Sequence, residues 1–214
     1  MDRADSLPLE RAVAMPRGFY LGADMLAQDR ALMFARSWQL VAHRDELRDT
    51  GDHVVTQIAD VPILVVRGED GVLRAFPNVC RHRAGPLALE SGRGARALHC
   101  RYHGWTHGLD GRLRHAPEMR DAVGFEVKDV CLPLLAVAKW LGLVFVNPDR
   151  EPAPFETVVA GIAARIAPTD FGGMQLVHRQ DYEVQCNWKV YVDNYVEGYL
   201  LPCVHRALTQ ALNY

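Results

Sequence analysis

The sequence predicts a mainly β protein, α+β overall, and three observations carry that reading. Between residues 38 and 149 the chain is cut into short apolar stretches by Gly, Asp and Pro turn signals, a spacing that suits antiparallel strands. Stretches with helical period fall outside that region, at 25–37, 155–167 and 187–201. A proline-rich break, NPDREPAPF at 147–155, separates the β region from the C-terminal residues. The chain therefore divides into an N-terminal arm and helix (1–37), an antiparallel β domain (38–149), and a linker with the opening of a second, α/β domain (150–214).

Residues 1–20 read as an extended arm with Pro8 and Pro16. Asp24 is placed to cap a helix in which Leu26, Leu32, Met33 and Phe34 share one face and Asp29, Arg30 and Arg36 the other. Residues 38–43 form the first strand. The stretches 53–58 and 61–67 flank the turn Ala59-Asp60 as a hairpin, and 73–77 comes after the turn at 69–71. Residues 97–100 lead to a tight turn at Asp110-Gly111, and 134–140 pairs with 143–147 around Gly142. Past the linker, 155–167 is amphipathic. Residues 174–186 alternate, with Leu176, Tyr182 and Val184 opposite Arg179, Asp181 and Glu183, the pattern of a half-buried strand. A helix over 187–201 is expected to end at Pro202.

The bulk numbers exclude several classes. A net charge of −2 with 23% charged residues gives no reason for a nucleic-acid or membrane-surface partner. Residues 1–18 lack an apolar core of a signal peptide and no apolar run reaches a membrane span, so a cytoplasmic location is expected. Of the five Cys, two belong to the motif below. Cys131, Cys186 and Cys203 are expected to be small buried hydrophobes and not a disulfide framework.

The chemistry is concentrated in residues 78–105, NVCRHRAGPLALESGRGARALHCRYHGW. Cys80 and His82 form one pair and Cys100 and His103 another, with seventeen residues between His82 and Cys100. Structural zinc sites usually set a Cys pair against a His pair. Two loops that each give one thiolate and one imidazole can instead put two Cys on one iron and two His on the other, as a Rieske cluster requires. Gly85 and Gly104 let backbone approach the sulfur atoms closely. A mixed zinc site is the alternative reading of the same residues. His43, His53, His99, His107 and His115 have no paired spacing and read as surface or polar-core histidines.

These residues resemble the Rieske [2Fe-2S] domain of ring-hydroxylating, Rieske-type non-haem iron oxygenases, large (alpha) subunit. NVCRHRAGPLA and CRYHGWTHGLDGRL match that family's pattern, with His107 where the family typically has Tyr. NWKVYVDNYVEGYLLPCVHRAL at 187–208 resembles the start of the family's helix-grip-like catalytic domain. By position, Asn187, Trp188, Lys189, Asp193, Asn194, Glu197, Tyr199 and His205 match. The resemblance implies a mononuclear Fe(II) held by two His and a carboxylate, with His205 as one ligand. Glu197 would be the acid that bridges toward a cluster His of a neighbouring subunit. Leu200 stands where the family has the first metal His, and no third ligand is expected in these 214 residues. The resemblance further implies a reductase or ferredoxin as donor, O2-dependent hydroxylation or demethylation of a small organic substrate, and a homo-oligomer (a trimer in the family) or a complementing polypeptide. A Rieske ferredoxin-like carrier and an inactive regulatory homologue are the competing readings.

Overall fold

The computed structural model of the chain describes residues 9–11, 13–196, 198 and 201–212. It divides into two units, one of residues 30–179 and one that joins 1–29 to 180–214. The first holds nine strands: β1 Gln39–His43, β2 His53–Ile58, β3 Val61–Arg67, β4 Leu73–Pro77, β5 Leu98–His99, β6 Thr106–His107, β7 Leu113–His115, β8 Ala136–Trp140 and β9 Leu143–Asn147. They make three antiparallel three-stranded sheets, ordered β1-β9-β8, β2-β3-β4 and β5-β6-β7.

β3 explains why there are two cores. Side chains alternate along a strand, so Ile63 and Val65 point to one face and Leu64 and Val66 to the other, and all four are fully buried. Strands buried on both faces read as unbroken apolar runs, hence VPILVV. The first core joins Ile63, Val65 and Ala75 to Val41, Val144 and Val146 of the β1-β9-β8 sheet. The second joins Leu64, Val66 and Phe76 to Leu98, Trp105, Leu113 and both Cys80 and Cys100. Outside the strands, α3 (Phe155–Ile166) is seated by Phe155, whose ring meets Trp38 at 5.3 Å and Phe145 at 4.9 Å.

In the second unit, side chains tie the region of α1 (Gly18–Leu21) and α2 (Ala23–Gln28) to α4 (Trp188–Val196). Asp29 accepts hydrogen bonds from Trp188 Nε1 at 3.0 Å and from Lys189 Nζ, and Tyr20 donates to Asp193 Oδ2 at 2.6 Å. The Lys189 ammonium also lies 5.7 Å from the Phe19 ring centre, within cation–π range. Its hydrogen bond, together with the weaker one of Trp188, holds the Asp29 carboxyl below the usual range. Two short helices complete the unit, α5 (Leu201–Val204) and α6 (Arg206–Leu212). Among the described residues no helix is long and apolar enough to cross a membrane.

Five expectations need correction. Residues 174–186 form no strand. A strand needs a neighbouring edge, and this stretch is instead pinned to the turn after β1: Leu176 N donates to Asp45 at 2.9 Å, Arg44 to the Met174 carbonyl at 3.4 Å, and Arg179 meets Glu46 at 3.3 Å. Asp24 does not cap α2; Gly22 takes that position, and the helix passes into a π turn over Asp29–Met33 and a 3-10 turn over Phe34–Arg36. The arm is not wholly extended, since Leu9–Arg11 is a 3-10 turn and α1 lies within it. Pro202 does not end a helix: Gly198 is not helical, and Pro202 sits in the first turn of α5 as described, where its missing N–H is no loss. Cys131, Cys186 and Cys203 are exposed, not buried.

Candidate metal centre

Two loops hanging from the β2-β3-β4 and β5-β6-β7 sheets build the site, and they are built alike. Cys80 N donates to the Gly85 carbonyl at 2.8 Å, and Cys100 N to the Trp105 carbonyl at 2.9 Å. Each loop closes a second ring, Ala84 N to Cys80 O at 3.1 Å and Gly104 N to Cys100 O at 2.9 Å. The residue closing each ring has positive φ, 56° at Ala84 and 75° at Gly104. Asn78 fastens the first loop from below: its Oδ1 accepts from Leu87 N and Ala88 N at 3.0 Å, and its Nδ2 donates to the Ala88 carbonyl at 2.7 Å.

The loops bring all four predicted side chains together. Cys80 and Cys100 are buried in the same core; burial pushes the Cys80 thiol up, and the nearby Cys100 adds to it. His82 and His103 are half-buried, with ring centres 4.6 Å apart and planes at 76°. Trp105 stacks on His82 at 4.8 Å and 8°, fixing that ring's plane, and Tyr102 lies 3.9 Å from the His103 ring. Desolvation, then the proximity of His103, lowers the His82 pKa, which favours the neutral imidazole, the form that binds metals.

Two further features test whether an iron–sulfur group fits. His82 Nδ1 is shielded from solvent with no hydrogen-bond partner among the described residues, an arrangement that is unfavourable unless something binds it. At Gly85 an added Cβ would lie 2.8 Å from Cys100 Sγ, so only glycine allows this approach. Two thiols on the buried side and two imidazoles on the half-exposed side make the donor set of a cluster whose irons differ.

The second constellation is less complete. Glu197, Tyr199 and Leu200 lie outside the described residues. His205 is exposed, and its N–H donates to the Leu201 carbonyl at 2.9 Å. Among the described residues no three His, Cys, Asp or Glu side chains gather around a single-ion site.

Sequence reasoning missed the supporting roles of Asn78 and Trp105, while His107, read as a surface or polar-core histidine, is the latter. His107 is fully buried; its Nδ1 lies 3.2 Å from the Gly111 carbonyl, while Nε2 has no partner among the described residues. Burial lowers its pKa. A histidine that is neutral when folded and free to protonate at about 6.5 when unfolded contributes stability that is full above that value. This stability is lost as pH falls from there toward the folded pKa, because the unfolded state then binds the extra proton. His107→Gln should therefore flatten part of the decline in thermal midpoint between neutral and mildly acidic pH. An unchanged decline would show that His107 does not titrate on unfolding.

The family comparisons agree with this geometry. The profile of the Rieske [2Fe-2S] domain matches residues 37–136, and that of the ring hydroxylating alpha subunit (catalytic domain) matches residues 171–214. The carnitine monooxygenase oxygenase subunit of Escherichia coli (strain K12) is 34% identical over 205 residues, 95% of this chain and 55% of that protein. The chloroplastic choline monooxygenase of Arabidopsis thaliana is 31% identical over 219 residues, 97% of this chain and 52% of that protein. A quaternary ammonium Rieske monooxygenase in complex with L-carnitine superposes with TM-score 0.85 at 34% identity, over 91% of this chain and 56% of that one. Naphthalene 1,2-dioxygenase from Rhodococcus sp. bound to indole superposes with TM-score 0.77 at 28% identity, over 87% and 44%. The chain spans about half the length of the curated relatives it matches. With a Rieske [2Fe-2S] domain leading into the opening of a ring-hydroxylating catalytic domain, it belongs to the Rieske non-haem iron oxygenase alpha subunits.

Proposed function

We propose that Cys80, His82, Cys100 and His103 hold a [2Fe-2S] cluster and that the chain passes electrons from a reductase or ferredoxin toward a mononuclear Fe(II) site. The observation that carries this is the pairing of two buried thiols with two half-buried imidazoles, one of them with an orphaned ring nitrogen. When bound, such a cluster supplies a one-electron relay at roughly −150 to +300 mV, against about −400 mV for plant-type clusters. The protein's own residues set the rest. Trp105 orients His82, Asn78 anchors the first loop, and the buried side keeps water from the thiolates. The β domain over 38–149 is the relay; residues 150–214 begin the catalytic domain, where His205 is the iron ligand and Glu197 the acid that couples the two sites.

The relatives that carry carnitine and choline in their names suggest a quaternary ammonium substrate for the whole enzyme, oxidised with O2 by hydroxylation or demethylation. One observation favours a second reading. Leu200, at the position of the family's first metal His, has no lone pair to offer, so this polypeptide would relay electrons without turning over.

Iron and sulfide analysis with visible spectroscopy tests the first reading. About two irons and two sulfides per chain are expected, with loss of the spectrum in His82→Ala and His103→Ala. Stoichiometric zinc in anaerobically prepared protein would overturn it. Oxygen uptake with a reductase and L-carnitine separates the two readings. No coupled product and no third iron are expected of the 214-residue polypeptide; a third iron with product would reject the second reading.

A further inference from the structure

Away from the metal-binding loops, a cavity of about 510 Å³ opens between the end of β1, the β8–β9 turn, α3 and residues 171–178. It lies wholly within the unit of residues 30–179. Its walls are mainly apolar and include Trp140, Leu143, Ile162, Ile166, Phe171 and Leu176. Small-molecule sites have this character: they span about 300–1,000 Å³ and carry a few placed polar groups among apolar walls.

One polar group here is held in place. The His43 side chain is 12% exposed, whereas Gln175 and His178, the other polar residues of the walls, are exposed. His43 Nδ1 accepts the Asp45 N–H at 3.2 Å. Asp45 Oδ2 lies 3.4 Å from the same nitrogen, but it is engaged by Leu176 N at 2.9 Å. The ring hydrogen therefore sits on Nε2, which has no acceptor among the described residues. Nε2 faces the Gly142 turn, where an added Cβ would stand 2.9 Å from it, and Leu141 and Leu143 on either side of that glycine line the cavity. A donor without an acceptor, set among apolar walls, suits a ligand with an acceptor oxygen. It does not suit an ion, because the neighbouring charges are matched, Asp45 by Arg48 and Glu46 by Arg179. Trp140 and Phe171 supply ring surfaces that favour an aromatic body.

His43 also caps the short turn Arg44–Glu46: its backbone N–H donates to Glu46 Oε2 at 2.8 Å while its ring receives the Asp45 N–H. Asp45 in turn anchors Leu176, and Leu176 is part of the cavity wall. We infer that the cavity binds a neutral aromatic carbonyl compound, whose oxygen accepts from His43 Nε2, and that its occupancy steadies residues 171–178. The ligand's hydrogen bond and the anchor of Leu176 then act through one turn.

The probes are 2-acetonaphthone, which has the carbonyl, and 2-ethylnaphthalene, which has the same two rings without it. Equilibrium dialysis against the wild-type chain should show saturable binding of both, with the ketone about fivefold tighter, the worth of one hydrogen bond. Ile162→Trp, at a 54% exposed position of α3, fills the cavity from its rim and should weaken both probes about tenfold. His43→Phe should keep the hydrocarbon and lose the preference for the ketone. Bound ketone should also slow amide hydrogen exchange at Leu176 in the wild type. Because His43→Phe removes a cap, the two-probe comparison in wild type and the Ile162→Trp variant decide without it. Equal affinities for the two probes in wild type, binding that survives Ile162→Trp, or unchanged exchange at Leu176 overturns the inference. So does a wild-type oligomer that Ile162→Trp dissociates, which gives the cavity to a second copy of the chain. None of these readouts needs iron, so the outcome is independent of the cluster reading.

Discussion

Gly85→Val should yield a folded protein that carries almost no iron. A Cβ at position 85 would stand 2.8 Å from Cys100 Sγ and 3.1 Å from Tyr102 Cβ. Neither can step aside cheaply: the sulfur is buried in the second core, and the Tyr102 Cβ is fixed to the backbone of the opposite loop. The Gly85 carbonyl also accepts the Cys80 N–H at 2.8 Å, so any retreat of the backbone moves a second cluster residue. Disturbing the groups behind metal ligands lowers affinity by about 10–100-fold, and here the intrusion reaches a proposed ligand directly. Iron content and visible absorption should therefore fall at least that far, with Gly85→Ala intermediate. The β2-β3-β4 and β1-β9-β8 ladders do not run through this contact, so far-UV circular dichroism should stay close to wild type. A Gly85→Val protein with full iron and an unaltered spectrum would mean that the two loops do not close on one another as described.

Phe76→Ala should be the most damaging of the simple truncations in the β domain. Phe76 is fully buried on the cluster side of β4, in the core that contains Leu64, Leu98 and both cysteines. Its ring lies against the Gly111 turn so closely that a Cβ there would come within 2.7 Å of it. Removing the ring deletes its burial and leaves a cavity that the rigid turn cannot collapse into, a loss of about 3–5 kcal/mol. That is a large share of the roughly 5–15 kcal/mol that keeps a domain folded. The denaturant midpoint should drop with an unchanged slope, and cluster loading should fall with it because Cys80 and Cys100 pack in the same core. Phe76→Leu should lose less on both counts. A drop below about 1 kcal/mol for Phe76→Ala would show that the core repacks.

The β domain was readable because its determinants are local. The hairpins His53–Ile58 with Val61–Arg67 and Leu143–Asn147 with its partner are set by turn residues and by apolar runs a few residues long. The ligand pairs were readable for the same reason: each lies within one loop. What failed depended on neighbours far away in the sequence. Alternation over 174–186 describes a strand only where an edge waits for it, and Leu176 is instead held by Asp45. Helical period over 25–37 does not distinguish an α turn from the π and 3-10 turns observed at Asp29–Met33 and Phe34–Arg36. Apolar character alone placed three cysteines inside that are outside. The motifs include Asn78 and His107 without showing what they do; their roles come from burial at 107 and from the three hydrogen bonds at 78.

The joining of residues 1–29 to 180–214 in one unit has a consequence for how the protein is made. Asp29 and its partner Lys189 are 160 positions apart, and Tyr20 and Asp193 are 173 apart. Tyr20 and Asp29 therefore leave the ribosome well before Lys189 and Asp193 and wait for them to emerge. At about 5–20 residues per second, the arm stays without its partner for roughly ten to thirty seconds, while the β domain, whose contacts lie within residues 30–179, can already fold. Protection of residues 20–29 from protease during synthesis is therefore expected only once the polypeptide has passed about residue 193.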